Sequence, residues 1–264
     1  MLPLMLVVLT ACPAGKDAGS AQTNSSFDNK APKFNEDSAF ALMKTQVAFG
    51  PRMPGSEGHR KQLEWMVQFL KSRAESVESQ PFAYTTTKGK KLELTNVFAR
   101  FNSSLPDRVL LIAHWDTRPT ADNDTDPTKQ DDPISGADDG ASGVALLMQI
   151  ADILSKNKAP IGVDLLFVDG EDWGPTDADM YLGAKHFAAN LPVGYKPLYG
   201  ILVDMIADQN PYFQVESNSK QSAPEVVDRV WRMAGQLGLG NYFPNSEYGF
   251  IGDDHVSLNQ AGIR

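Results

Sequence analysis

One long loop carries most of the residues in this sequence that could perform chemistry. It runs from Ala113 to Gly143, between a short apolar run typical of a buried strand and a segment with the 3.6-residue periodicity of a helix. Its one histidine and eight aspartates are His114, Asp116, Asp122, Asp124, Asp126, Asp131, Asp132, Asp138 and Asp139. Long loops in compact domains are usually functional, and open α/β sheets bind ligands at the carboxyl ends of their strands. The loop therefore predicts a cation-binding site.

Further acids follow strand patterns or a glycine-rich loop elsewhere in the chain. Glu171 and Asp172 come shortly after the apolar run 163–168, Asp204 follows the run 200–203, and Asp253 follows a glycine-rich stretch. Any one of these acids alone would be read as a helix cap or a solvated side chain. The carboxyl ends of parallel strands meet at one edge of a sheet, so we expect one set of residues to converge. That set is His114, Asp139, Glu171, Asp172, Asp204 and Asp253.

The elements that must position these residues follow an α/β pattern. We predict two helices near the N-terminus from apolar stripes, the second formed by Leu63, Met66, Val67 and Leu70, and further helices at 140–155, 179–190, 224–237 and 253–260. We predict strands at 82–87, 92–101, 109–112, 163–168, 199–206 and 212–216. In the first helix, Phe40, Met43 and Val47 form the predicted core stripe after an Asn35 cap. The alternation of strands and helices predicts a three-layer αβα sandwich, whose mostly parallel central sheet has an antiparallel edge.

Composition limits the classes of function. The chain has 264 residues, of which 42% are hydrophobic, and this favours one globular domain with a sizeable core. Its formal net charge is −9, and no basic stripe offsets that charge. Negative charge of this size argues against a nucleic-acid-binding surface.

The N-terminal residues are expected to direct export. The apolar run Leu2 to Leu9 is too short to span a bilayer, and it leads into Leu9-Thr10-Ala11-Cys12, which is similar to a bacterial lipoprotein cleavage box. No basic residue precedes Leu2, which leaves a chance cysteine as the alternative. We expect a signal peptide at 1–12, lipidation of Cys12, a flexible tether at 13–33 and a domain at 34–264. The protein would then be anchored by lipid to the bacterial cell envelope, facing the periplasm or the exterior.

Ordered motifs carry a family resemblance. HWD, GADDGASG, DGED, LVDM and GDDH occur in this order, after GPRMPGSEGH, and together they resemble the zinc-dependent exopeptidase superfamily, the family-28 metallopeptidases. The superfamily contains bacterial aminopeptidases and glutaminyl cyclases of the animal type. HWDTRPTADND and EDWG are most similar to the bacterial glutaminyl cyclase-like proteins. The resemblance covers Phe34 to Arg264 and implies the phosphorylase/hydrolase-like fold with zinc as cofactor.

The resemblance implies a metal site. It makes Asp139 and Asp172 zinc ligands, and His114 a ligand only if a second zinc binds, with Asp116 orienting that histidine. The family's last ligand is a histidine in a Trp-His-Thr-like loop beyond the strand that follows GDDH, and the sequence ends where that strand should begin. We therefore expect a C-terminally truncated fragment. His255 matches a family position outside the metal shell.

The resemblance also implies catalytic roles. Glu171 is the general acid/base, Asp204 is a zinc ligand in the aminopeptidases but a relay acid in the cyclases, and Asp253 is the other relay acid. Ile251 lines the substrate pocket by the same resemblance. Trp173 either walls that pocket or packs under the loops, and we favour the pocket.

Three functions remain open from the sequence. The first is a glutaminyl-peptide cyclotransferase, in which zinc assists the cyclisation of N-terminal glutamine to pyroglutamate with release of ammonia. The second is a zinc aminopeptidase, and the third is an inactive surface lipoprotein that binds peptide termini. In each case the expected partners are the N-termini of peptides or proteins, and the expected state is a monomer. His59 and His186 are expected to be surface or packed residues rather than ligands.

Overall fold

The local sequence patterns produce the predicted alternation of helices and strands. The computed structural model describes residues 31–264, so Cys12, the predicted signal peptide and most of the predicted tether lie outside the described residues. The elements are α1 Glu36–Ala48, α2 Glu57–Lys71, β1 Ser76–Thr85, β2 Lys91–Phe101, β3 Arg108–His114, α3 Ala141–Lys156, β4 Gly162–Val168, α4 Leu182–Ala189, β5 Tyr199–Leu202, β6 Val215–Glu216, α5 Ser217–Ser222, α6 Pro224–Gln236, β7 Glu247–Gly249 and α7 Asp254–Gln260.

The central sheet has the predicted mixture of strand directions. Its strand order is β1-β2-β4-β3-β5. The strands β4, β3 and β5 are parallel to one another, whereas β1 and β2 form an antiparallel edge. This arrangement confirms the parallel sheet with an antiparallel edge, and it places the carboxyl ends of β3, β4 and β5 side by side.

Helices cover both faces of this sheet. On one face, α2 and α3 contribute Met66 and Leu147 to a core that also contains Leu165 of β4. On the other face, Phe187 of α4 and Leu258 of α7 pack with residues that include Leu166 and Ile112. All seven residues of β4 are buried, as expected for a central strand covered by helices on both sides. The predicted three-layer αβα sandwich is therefore confirmed.

Three predicted elements are longer than the observed ones. The strand predicted at 199–206 ends at Leu202, and the left-handed φ of 45° at Met205 is incompatible with a strand that continues to 206. The helix predicted at 179–190 starts only at Leu182, because Tyr181 also has a left-handed φ of 58°. The edge strand predicted at 212–216 is reduced to Val215–Glu216.

The predicted core stripe of α1 was wrong in its most prominent residue. Phe40 is 56% exposed, and the buried side chain of this helix is Gln46. The Gln46 amide donates to the carbonyl oxygen of Ala141 at 3.0 Å, so the inward face of α1 includes a polar side chain that is hydrogen-bonded to the start of α3. The Asn35 cap is confirmed, since its side chain accepts from the Ser38 N–H at 2.9 Å.

Within residues 31–264, we find no helix that combines the length and the apolar character needed to cross a bilayer.

Candidate active site

The ends of three parallel strands bring the predicted acids to one place. His114 ends β3, Asp204 follows β5, and Asp139 lies just before α3. Glu171 and Asp172 follow β4. Among the described residues, two groups could each hold a metal ion, with ligand atoms within 4.8 Å of one another: His114, Asp139 and Asp204 form one group, and Asp139, Glu171 and Asp172 form the other. Asp139 is common to both groups.

His114 is the buried centre of the first group. Its Nε2 atom lies 2.9 Å from Asp139 Oδ1 and 3.1 Å from Asp204 Oδ1. Burial lowers the pKa of His114, but the surrounding carboxylates, with Asp204 and Glu171 foremost, together outweigh burial and hold this pKa well above its usual value. An imidazole nitrogen surrounded by carboxylate oxygens is a donor set that suits a divalent transition metal such as zinc.

Glu171 and Asp172 have pKa values raised by burial. Burial raises the pKa of Asp172 to about 7, and the negative charge of Asp139 acts in the same direction. Burial also raises the pKa of Glu171 well above its usual range, with Asp254 and Asp116 adding to the effect. Two adjacent acids that resist ionisation fit a site that either binds a cation or carries a proton.

Asp116 fixes the backbone of this acid pair. Its carboxylate accepts the N–H of Glu171 at 3.0 Å and the N–H of Asp172 at 3.3 Å. The sequence predicted that Asp116 orients His114, whose Nδ1 lies 3.6 Å from the Asp116 carboxylate. In this structure the hydrogen bonds of Asp116 thus go to the chain that follows β4.

A buried arginine supports the loop that carries Asp139. The Arg52 side chain is fully buried, and its guanidinium donates to the carbonyl oxygens of Ser135 at 2.8 Å and Gly136 at 2.6 Å. Gly136 has a φ of 56°, and an added Cβ there would lie 2.3 Å from Thr117 Cγ2, so this close approach requires glycine. Sequence reasoning missed Arg52, although it lies within the GPRMPGSEGH motif.

His59 has a more specific role than the sequence suggested. Its Nε2 contacts both carboxylate oxygens of Asp169, at 2.9 and 3.0 Å, and its ring stacks on Trp115 with centroids 4.2 Å apart. All three side chains are buried. Trp115 therefore packs beneath the site.

The other two histidines lie in separate contacts. His186 stacks on Phe82 with ring centroids 4.2 Å apart. His255 faces Glu216, with 3.2 Å between its Nε2 and the carboxylate.

A cavity of about 820 Å³ opens beside β5, next to the acids. Asp204, Asp253 and Ile251 line it, and Val230 and Trp231 of α6 form part of its apolar wall. The other predicted pocket residue is placed elsewhere: Trp173 packs against Leu92, Leu94 and Leu182, with the Lys90 ammonium 4.4 Å from the ring centroid. The structure thus puts Ile251 beside Asp204 and Asp253, and Trp173 in a different cluster.

Tyr181 connects two of the segments that carry site acids. Its backbone N–H donates to the Glu171 carbonyl oxygen at 2.8 Å, and its hydroxyl donates to the Gly252 carbonyl oxygen at 2.9 Å. Burial raises the pKa of Tyr181 to about 12, and the charges of Glu171 and Asp253 act in the same direction. One residue therefore ties the segment after β4 to the segment before α7.

Replacing Tyr181 with phenylalanine tests this connection. Tyr181→Phe removes only the hydroxyl and leaves the Gly252 carbonyl without its partner, so unfolding should become easier by about 1 kcal/mol. Chemical denaturation measures this change, with Tyr242→Phe as the control because Tyr242 is 46% exposed. Equal stabilities for the two variants would contradict a connecting role for the hydroxyl.

Comparison with known proteins identifies the family. The model of Peptidase family M28 matches residues 96–264. This match covers more than half of the chain, and the chain belongs to Peptidase family M28.

Individual relatives agree with the family assignment. The mouse glutaminyl-peptide cyclotransferase-like protein is 30% identical over 243 residues, which are 80% of this chain and 61% of that relative. The chain thus spans about 61% of the length of this curated relative. A crystal structure of a Zn-dependent exopeptidase from Parabacteroides distasonis is 40% identical with a TM-score of 0.86, covering 88% of this chain and 83% of that one. A crystal structure of Tannerella forsythia glutaminyl cyclase is also 40% identical, with a TM-score of 0.84 and coverages of 87% and 82%.

Proposed function

We propose that this protein is a zinc-dependent glutaminyl-peptide cyclotransferase that converts the N-terminal glutamine of peptides or proteins to pyroglutamate and releases ammonia. The observation that carries the proposal is the position of Glu171. This buried carboxyl group lies beside Asp139 and Asp172, the acids that could hold the metal ion, and its pKa is strongly raised. The similarity to a glutaminyl cyclase of known structure and to the mouse relative supports the same reaction.

The proposed cofactor is zinc, to which the described residues contribute carboxylate donors. Asp139 and Asp172 would hold the ion, and their ligand atoms lie within 4.8 Å of each other. When bound, zinc supplies a Lewis acid that polarises the carbonyl group of the substrate carboxamide. The Zn-dependent exopeptidase of Parabacteroides distasonis, which shares this fold, supports the choice of metal.

Glu171 would move the proton in this reaction. The α-amine of the substrate attacks the side-chain carboxamide carbon, a carbon–nitrogen bond closes the five-membered ring, and the bond to the amide nitrogen breaks. Glu171 takes a proton from the attacking amine and gives it to the departing nitrogen, which leaves as ammonia. A carboxyl group whose pKa is raised by burial holds a proton more readily than a free glutamate does, which suits a group that accepts and returns a proton.

Asp204 and Asp253 have opposite pKa shifts, which suits a proton relay. Burial raises the pKa of Asp253 to about 6, and the negative charge of Asp204 acts in the same direction. Although burial opposes it, the charge of His114 lowers the pKa of Asp204. Between these two pKa values one acid is ionised while the other keeps its proton, so the pair can hold and pass a single proton.

A zinc aminopeptidase is the second candidate. It is favoured by the sharing of Asp139 between the two groups of possible metal ligands. Such sharing fits two adjacent ions bridged by one carboxylate, an arrangement that serves hydrolysis well. His114 and Asp204 would then complete the second ion's ligands.

A direct comparison of substrates tests whether the protein is a cyclotransferase or an aminopeptidase. We expect the full-length, zinc-loaded protein to release ammonia from a glutamine-initiated peptide faster than it releases leucine from a leucine-initiated peptide. Zinc content is measured on the same sample. Faster release of leucine, with two zinc ions per chain, would establish the aminopeptidase instead.

We also propose that the protein is a lipid-anchored monomer of the bacterial cell envelope. Support comes from the apolar run and the Leu9-Thr10-Ala11-Cys12 sequence at the N-terminus. Expressed in a bacterial host, the protein should appear in the membrane fraction with an acylated Cys12 as its first residue. Mass spectrometry of the N-terminal peptide checks this, and an unmodified peptide that begins at Met1 would contradict it.

A further inference from the structure

Arg118 forms a hydrogen-bonded fork between two aspartates of the site region. Its Nη1 donates to Asp172 Oδ1 at 2.8 Å. Its Nε and Nη2 donate to the two carboxylate oxygens of Asp122, at 2.5 and 3.0 Å. The Arg118 and Asp172 side chains are only 14% and 9% exposed, so this contact is largely shielded from water.

Two features hold the guanidinium plane in place. The paired hydrogen bonds to Asp122 fix its orientation, because two parallel N–H donors match the two oxygens of one carboxylate. Gly174 packs closely on the same group: it has a φ of 59°, and an added Cβ would lie 3.0 Å from both Nη1 and Nη2. Arg118 is therefore held between its own loop and the segment that follows β4, with one N–H aimed at Asp172.

We infer that Arg118, oriented by Asp122, is a positioning residue for Asp172 as a metal ligand, an inference that rests on the proposed zinc-dependent function. Arg118 occupies Asp172 Oδ1 and leaves the other oxygen free for the ion, so that Asp172 binds through a single atom. Asp122 would therefore influence the metal site through Arg118, without contacting the ion itself.

The contact between Arg118 and Asp172 is important because Asp172 is surrounded by other negative charges. Asp172 shares its surroundings with Asp139 and Glu171, and among residues 31–264 its one ion pair is with Arg118. Repulsion among these carboxylates would turn Asp172 away from them unless a cation holds it. The planar guanidinium can bond Asp122 through two atoms and Asp172 through a third, whereas a lysine ammonium cannot reproduce this geometry.

Metal affinity is the direct measurement. Hydrogen-bonded partners of metal ligands typically change affinity by about 10- to 100-fold when they are replaced. We expect Arg118→Met to weaken zinc binding by about this factor, measured by competition with a chromophoric chelator. Arg118→Lys should recover little of the loss, because it cannot bridge both aspartates. Arg60→Met is the matched control, since Arg60 forms an exposed ion pair with Glu64 on the helix surface.

Asp122→Asn provides a second, milder variant. It keeps the shape of the side chain but weakens its hold on the guanidinium, so it should weaken zinc binding in the same direction. In the double variant the two losses should not add, because they interrupt one chain of contacts. If Arg118→Met does not fold, Asp122→Asn carries the test alone, and unchanged affinity in that variant overturns the inference.

Cobalt substitution reports the geometry independently of activity. We expect the visible absorption of bound Co²⁺ to change in Arg118→Met and to stay unchanged in Arg60→Met. Wild-type affinity together with a wild-type cobalt spectrum in Arg118→Met would overturn the inference while leaving the proposed function intact. Failure of the parent protein to bind zinc would overturn both. A protein that binds zinc but hydrolyses peptides would overturn only the proposed function.

Discussion

Replacing Glu171 with glutamine is expected to slow ammonia release from a glutamine-initiated peptide by roughly 10²- to 10⁴-fold. Glutamine keeps the size of the side chain but cannot accept or return a proton. The adjacent backbone stays fixed, because the N–H of residue 171 still donates to Asp116. The loss should therefore appear in kcat, with little effect on KM or on the amount of bound zinc.

Zinc analysis separates this role from metal binding. The ligand atoms of Asp139, Glu171 and Asp172 lie close together, so Glu171 itself could hold the ion. If Glu171→Gln loses zinc in proportion to its activity, the residue is a ligand and the proton-transfer assignment is wrong. Glu64→Gln serves as the control, because Glu64 forms only an exposed contact with Arg60.

Sequence patterns were sufficient to predict where the acids meet. A parallel sheet aligns the carboxyl ends of its strands, so residues that end β3, β4 and β5 must be neighbours although they are far apart in the chain. His114 at the end of β3 and Asp204 after β5 meet in this way, and the loop before α3 brings Asp139 to the same place. Family resemblance then separated Asp139 from Asp138, which the composition of the loop alone could not do.

The supporting polar groups were much harder to predict. Arg52, His59 and Gln46 are buried, and each is accommodated by a partner distant in the sequence. A polar residue is buried only where a partner satisfies its hydrogen bonds, and local periodicity contains no information about that partner. Sequence reasoning therefore placed His59 among packed or surface residues and put Phe40 in the core, where Gln46 lies instead.

The sequence also did not predict that α4 begins only after Tyr181, or that β5 ends before Met205. Both residues have left-handed backbone conformations, which are uncommon outside glycine and asparagine. Met205 directly follows Asp204, and Tyr181 ends the segment that carries Glu171 and Asp172. Strain of this kind is sustained by the surrounding structure and is frequent at functional sites, so the apparent length of a strand or helix is least informative there.

The metal-free protein is expected to become less stable as the pH rises from about 4 to 7. The pKa of Asp172 is raised from 3.8 to about 7 in the folded protein, and that of Asp253 from 3.8 to about 6. Within this range the folded state binds more protons than the unfolded state, so the free energy of unfolding falls as pH increases. Above about pH 6.5 the raised pKa of His114 acts in the same direction, because the folded protein keeps a proton that the unfolded chain loses.

The expected fall in the free energy of unfolding is large enough to measure by denaturation. Each pKa unit corresponds to about 1.36 kcal/mol, so Asp172 alone should contribute several kcal/mol between these pH values. Urea midpoints at about pH 4.5 and pH 7.5, in the presence of a chelator, should therefore differ clearly. The lowered pKa of Asp204 affects stability only below this range, because its protonation in the folded state requires a pH under 3.8.

Zinc should reverse this loss of stability, because the ion binds the ionised carboxylates that are costly to bury without it. Free zinc at 100 times its dissociation constant adds about 2.7 kcal/mol to the free energy of unfolding. Asp172→Asn should separate the two effects: without zinc it should be more stable than the parent above pH 7, because no charge is buried, and zinc should stabilise it far less. Asp228→Asn, on the exposed face of α6, should behave as the parent does in both conditions. A metal-free protein whose stability rises between pH 4 and 7 would mean that the carboxylates at the strand ends are already ionised without strain, and that zinc is not needed to hold them together.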